Sequence, residues 1–177
     1  MDLGRPQDRA PRPPARLIYT TPAHFIAFGA GAGLSRKAPG TVGTVWGLPF
    51  WLVLHGLPPV LYVIAVAALF AFGVWICGRS AKLLGVPDHS GIVFDEIVGF
   101  LVTAAPLIPG LGLMSGRPEA AVLLLVAFGV FRFFDIAKPW PISQLDARVH
   151  GGFGIMLDDL VAGLYGAALV WLFALLI

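Results

Sequence analysis

Long apolar runs separated by short polar breaks set the layout of this chain. Leu57 to Cys77 carries no charge over 21 residues. It reads as a membrane-crossing helix, since about 20 apolar residues span the hydrocarbon core. Ile92 to Ile108, Glu119 to Ile136 and Ile155 to Ile177 repeat the pattern. An earlier run, Thr41 to Leu54, is short for a full crossing and is either a tilted helix or a re-entrant segment. His55, Gly56, Pro58 and Pro59 end that run, and a Gly/Pro turn holding Arg117 occupies Pro109 to Pro118. The pattern predicts an all-α fold, a polytopic membrane helix bundle of about five hydrophobic segments, the first short.

Two stretches break the apolar rhythm. Met1 to Arg16 is rich in Pro and Arg and has neither a helical nor a strand period. It is expected to be a disordered cytoplasmic tail, lacking the apolar core and cleavage site of a signal peptide. The tail is set at residues 1–22 and the membrane-embedded domain at 23–177. Gly29 to Gly47, GAGAGLSRKAPGTVGTVWG, is dense in glycine and small hydroxyl residues. Such a stretch lets backbone N–H groups approach an anion, although its spacing fits neither a P-loop nor a dinucleotide fingerprint.

Composition moves the chain into the bilayer. Hydrophobic residues make up 58%, charged residues 12%, and mean hydropathy is +0.85, well away from a soluble domain's roughly 25% charged. A net charge of +2 with no dense basic run gives no sign of a nucleic-acid partner. Cys77, the single cysteine, has no partner for an internal disulfide.

Charge then locates the chemistry. Of 26 charged or His residues, eight fall between Arg132 and Gly163, flanked by apolar runs. Ionisable groups gathered where hydrophobic segments meet water mark a functional site. If each run crosses once with the tail inside, the inner segments 1–40, 78–91 and 132–154 hold eleven of the twelve Lys and Arg residues. Only Arg117 is outside, the asymmetry that the positive-inside rule describes. Asp95–Glu96 and Asp158–Asp159 then lie about one turn into the third and fifth segments, and Arg132 and Asp135 in the last turn of the fourth. All fall near one plane at the cytoplasmic face.

Four carboxylates at one level repel one another, and a hard divalent cation such as Mg²⁺ neutralises them while keeping sites for phosphate oxygens. Asp95, Glu96, Asp158 and Asp159 are therefore candidate metal ligands and catalytic acids, with Asp135 a further metal candidate. Arg132, Lys138 and Arg148 suit a phosphate, as do Lys37 and Thr41 of the Gly-rich stretch. His150 is a candidate proton carrier. His24, His55 and His89 are read as interfacial side chains. Glycines follow both acid pairs, in DEIVG at 95–99 and DDLVAG at 158–163, and allow close helix approach behind the acids.

GLSRKAPGTVGT (33–44), IVFDEIVG (92–99) and FRFFDIAKPWPISQLDARVHGGFGIMLDDLVAG (131–163) resemble the phosphatidylglycerophosphatase A family, a likeness covering about residues 24–177. The resemblance implies a Mg²⁺-dependent phosphatase of the bacterial cytoplasmic membrane, with its active site facing the cytoplasm. Its substrate would be phosphatidylglycerophosphate, with phosphatidylglycerol the product. It also implies metal chemistry at Asp95, Glu96, Asp158 and Asp159, and more weakly at Asp135. With no Ser or Cys of a covalent phosphatase motif, metal-assisted attack by water is the simpler route, and an Asp nucleophile stays open. Asp158→Asn is expected to stop turnover in a protein that still folds. The alternative is a small ion- or proton-coupled transporter, which calls for acids at mid-membrane and an inverted repeat.

Overall fold

The computed structural model describes residues 11–108 and 120–176. Residues 1–10 of the expected tail, and the Gly/Pro turn with Arg117, lie outside the described residues. Eight α-helices form the described fold: α1 (Ala15–Thr20), α2 (Pro22–Ala27), α3 (Pro39–Leu54), α4 (Pro59–Leu84), α5 (Phe94–Thr103), α6 (Ala120–Ala137), α7 (Ile142–Arg148) and α8 (Gly151–Leu176). Two 3₁₀ stretches, Gly29–Leu34 and Ala105–Leu107, supplement them, and no strand occurs among the described residues. Helix begins earlier than the expected domain start at residue 23, and Ile18 of α1 is fully buried in the core.

Local chemistry sets several boundaries. Pro22, Pro39 and Pro59 open α2, α3 and α4 at the one helical position where a missing N–H costs nothing. Gly85, at φ 71°, closes α4 in the left-handed conformation. Two described helices, α4 and α8, are long and apolar enough to cross a membrane. Each has 26 residues, about 39 Å of helix. Their outward faces carry exposed Val60, Leu61, Ile64 and Trp75, and Leu164, Trp171, Leu172 and Phe173, an apolar surface suited to lipid.

The expected third segment, Ile92 to Ile108, is built differently. Its helix is only α5, ten residues and about 15 Å long, followed by a 3₁₀ turn. Eight of the ten are buried, and α3, α4, α6 and α8 all pack against it. A helix apolar on all sides can be buried in protein as readily as in lipid, and here α5 is the hub of the bundle. Its most extensive neighbour is α8.

Glycine makes that interface close. A Cβ at Gly163 would lie 2.6 Å from the Gly99 carbonyl oxygen, and one at Gly99 would lie 2.8 Å from the Asp159 carbonyl oxygen. Thr103 Oγ1 then donates to the Gly99 carbonyl (3.1 Å) in its own helix and to the Gly163 carbonyl (3.3 Å) across the interface. The opposite side of α5 is tied to α4 by Tyr62, whose buried hydroxyl donates to the Leu101 carbonyl at 2.7 Å. Both devices fix the height of α5 relative to the long helices. The acids at its first turn inherit that register.

Candidate active site

Asp95 and Glu96 occupy the first turn of α5, where the positive end of the helix dipole favours carboxylates. Asp158 and Asp159 lie two turns into α8, which starts at Gly151 rather than at the expected Ile155. The Gly99–Gly163 contact is one turn further along each helix, so close packing there brings the two acidic turns together. One carboxylate oxygen from each of Asp95, Glu96 and Asp159 lies within 4.8 Å of the others. Asp95 Oδ1, Glu96 Oε2 and Asp159 Oδ2 are buried without a hydrogen-bond partner. Buried carboxylate oxygens left unpaired are costly, and an all-oxygen, multiply anionic set is the donor chemistry of Mg²⁺ or Ca²⁺. The three residues fit a hard divalent cation.

The triad faces a pocket of about 540 Å³. Asp158 and Asp135 also line it but stand outside the triad, each paired with a cation. Asp135 pairs with Arg132, three residues before it on α6, and Arg132 Nη1 stands 3.9 Å from Glu96 Oε1. Asp158 accepts from Lys138 Nζ, which also lies 3.0 Å from Asp146 Oδ1. Adjacent helical side chains diverge by about 100°, so Asp159 turns to the triad while Asp158 turns to Lys138.

Lys138 is held in an unusual conformation. It follows the last residue of α6 at φ 40°, and its N–H caps the Phe134 carbonyl at 2.9 Å. A left-handed non-glycine residue costs on the order of 1 kcal/mol or more, and Pro139 prevents the helix from continuing past it. The turn aims Nζ back into the pocket. Burial weakens its charge, but Asp158 and Asp146 outweigh that and raise its pKa above the ordinary lysine value.

The start of α3 supplies another wall. Ala38, Pro39 and Gly40 line the pocket. A Cβ on Gly40 would strike Glu96 Oε1 and lie 3.0 Å from Arg132 Nη1, so this position accepts only glycine without displacing the site. Ala38 at the helix start is left-handed (φ 46°) and offers no side-chain cap. The N–H groups of Gly40 and Thr41 have no partner within the helix, a terminus suited to an anion. Lys37 and Arg148 are solvent-exposed, Thr41 is half-buried, and none of the three side chains lines the pocket. His150 does line it, from an exposed position at the rim.

Comparison with known proteins shows the family. The family profile of phosphatidylglycerophosphatase A matches residues 25–174. The chain belongs to the phosphatidylglycerophosphatase A family. Phosphatidylglycerophosphatase A of Escherichia coli (strain K12) is 40% identical over 157 residues, covering 89% of this chain and 86% of the relative. The enzyme of the same name from Haemophilus influenzae is 39% identical over 161 residues, covering 90% and 93%. A Bacteroides thetaiotaomicron protein provisionally named phosphatidylinositol-3-phosphatase is 33% identical over 151 residues, covering 82% and 89%. No solved structure matches the chain. This family member is thus an enzyme of the phosphatase class.

Three further titratable residues line the pocket: Asp88 and Asp146, which were not among the candidate site residues, and His89, which was read as interfacial. Asp88 sits in the loop before α5, and burial, reinforced by the charge of Asp158, raises its pKa to about 6. His89 is buried, not interfacial: its Nδ1 accepts from the Gly91 N–H at 2.9 Å, and burial lowers its pKa. His24 is also buried, with Nδ1 2.8 Å from Ser80 Oγ. His55 is exposed and stacks on Trp51 at 4.9 Å. The available signal for Asp88 and His89 was their position just upstream of Asp95–Glu96, in a polar loop of an otherwise apolar region.

Proposed function

We propose that this protein hydrolyses the terminal phosphomonoester of phosphatidylglycerophosphate, releasing phosphate and phosphatidylglycerol, with Mg²⁺ bound by Asp95, Glu96 and Asp159. The observation that carries the proposal is the trio of buried, unpaired carboxylate oxygens beside two cationic side chains. The names of the two phosphatidylglycerophosphatase A relatives support the substrate. When bound, the cation supplies charge neutralisation of the phosphoryl oxygens and acidifies an attacking water. Arg132 and Lys138 receive the phosphate, helped by the N–H groups at the start of α3. Asp135 and Asp158 keep those two cations in place. Asp88 and His150 are the pocket groups able to pass a proton to the departing alkoxide, Asp88 because its pKa lies near neutrality.

We place the enzyme in the bacterial cytoplasmic membrane as a multi-pass protein with the pocket facing the cytoplasm, a reading supported by the lysine and arginine distribution. The lipid's chains then lie among the helices while its head group meets the charged end. A transporter reading finds no support: the acids cluster at one end of α5, and their cations are locked to them.

Substrate choice is tested by comparing turnover of phosphatidylglycerophosphate, phosphatidic acid and phosphatidylinositol 3-phosphate by the purified protein in mixed micelles. The highest kcat/KM is expected for phosphatidylglycerophosphate. A preference for phosphatidylinositol 3-phosphate would move the assignment toward the activity in the Bacteroides relative's name.

A further inference from the structure

A second cavity, about 640 Å³, lies between α3 and α4 and is almost wholly apolar. Trp46, Phe50 and Val53 form its α3 side, and Ala65, Ala68 and Phe72 its α4 side. The groove exists because α3 and α4 pack on α5 rather than on one another, and because the two alanines leave a depression in α4. The short loop between Leu54 and Pro59 joins the helices at the far end. At the near end the groove approaches the charged pocket along both walls. Trp46 is six residues, about 9 Å of helix, beyond Gly40, which touches Glu96 and Arg132. On the other wall, Phe72 packs edge-on against Phe94 at 5.8 Å, and Phe94 immediately precedes Asp95.

We infer that this groove is the acyl-chain subsite of the enzyme, holding one hydrocarbon chain of the lipid whose phosphomonoester occupies the charged pocket. The inference deepens the phosphatase reading and rests on it. A hydrocarbon chain suits the lining because it needs no hydrogen-bond partners. A peptide segment would bury N–H and C=O groups that this wall cannot satisfy. The cavity has the size of sites that enclose a drug-sized ligand. Its near end stands about 9 Å of helix from Gly40 of the charged pocket, within the reach of one lipid that carries both a head group and a hydrocarbon chain.

Ala68→Phe fills the depression without touching a charged residue. The test measures kcat/KM for long-chain phosphatidylglycerophosphate and for an acyl-free, water-soluble analogue bearing the same phosphomonoester. The long-chain value should fall about tenfold through KM, the equivalent of roughly two methylenes no longer buried, while the acyl-free value holds. Val63→Phe, on an exposed part of α4 outside the groove, should change neither. An unchanged ratio of the two substrates in Ala68→Phe overturns the inference, as does an equal loss on both. A change in oligomeric state on size exclusion would instead assign the groove to a second copy of the chain. Should the wild type turn over neither substrate, the phosphatase reading fails by itself. The groove is then judged by quenching of Trp46 with bromine-labelled acyl chains in micelles, using Trp46→Phe to isolate the signal. Quenching relieved by Ala68→Phe upholds the groove, and quenching indifferent to it overturns the groove.

Discussion

Gly163→Ala isolates the contact that assembles the site. The added Cβ would lie 2.6 Å from the Gly99 carbonyl oxygen and 3.0 Å from Val102 Cβ. That is about 0.8 Å inside ordinary contact with backbone that cannot rotate away. The two helices must separate by a similar amount. Asp159 is one turn before Gly163, and Asp95 is one turn before Gly99, so the displacement passes directly to the triad. Overpacking costs roughly 1–3 kcal/mol, offset by about 1 kcal/mol of improved helix propensity, leaving a net loss of up to about 2 kcal/mol. A misplacement near 1 Å can cost on the order of a hundredfold in rate, so kcat should fall by roughly 30- to 100-fold. Gly129→Ala is the matched control: a Cβ on this glycine of α6 would meet nothing within 4 Å, and the substitution should be neutral or slightly stabilising. Both variants are assayed in micelles by phosphate release and by thermal unfolding. Full activity and a raised Tm in Gly163→Ala would refute the role assigned to this contact.

The division of labour between adjacent acids gives a second test. Asp159→Asn should abolish divalent-cation binding, read by calorimetry or by Mn²⁺ resonance, and lower turnover on the order of a thousandfold. Asp158→Asn should also lose turnover, by loosening Lys138, yet still bind the cation; loss of binding there would place Asp158 in the metal set. Asp88 supplies a pH test in the metal-free protein. Its folded pKa of about 6 exceeds the unfolded value near 4, so its charge penalises folding. That penalty is absent below about pH 4, grows between about pH 4 and 6, and is complete above. Asp88→Asn should therefore raise Tm at pH 8 and have little effect near pH 4, and a stabilisation that did not shrink on acidification would contradict the assignment.

The acid pairs and their trailing glycines were readable because the chemistry is local: charge stands out against apolar runs, and glycine spacing survives any choice of helix phase. That both acids of the first pair but only Asp159 of the second enter the triad was not readable. Adjacent side chains differ by about 100°, but their absolute orientation is set by α5–α8 packing. The nature of α5 was hidden for a related reason, since an apolar run gives the same pattern whether protein or lipid surrounds it. Lys37 and Arg148 fit a phosphate by type, yet both are solvent-exposed and the pocket is lined instead by the residues that follow each of them. His24 and His89 were misread as interfacial because burial of a histidine depends on distant partners, Ser80 for one and the Phe28 ring for the other.

The most direct test of the account is phosphate release from phosphatidylglycerophosphate by the purified, detergent-solubilised protein, measured with Mg²⁺, with EDTA, and after Mg²⁺ is restored. The account predicts release with Mg²⁺, loss with EDTA, and recovery on restoration. Undiminished release in EDTA would contradict a metal held by Asp95, Glu96 and Asp159, and no release under any condition would contradict the proposed reaction itself.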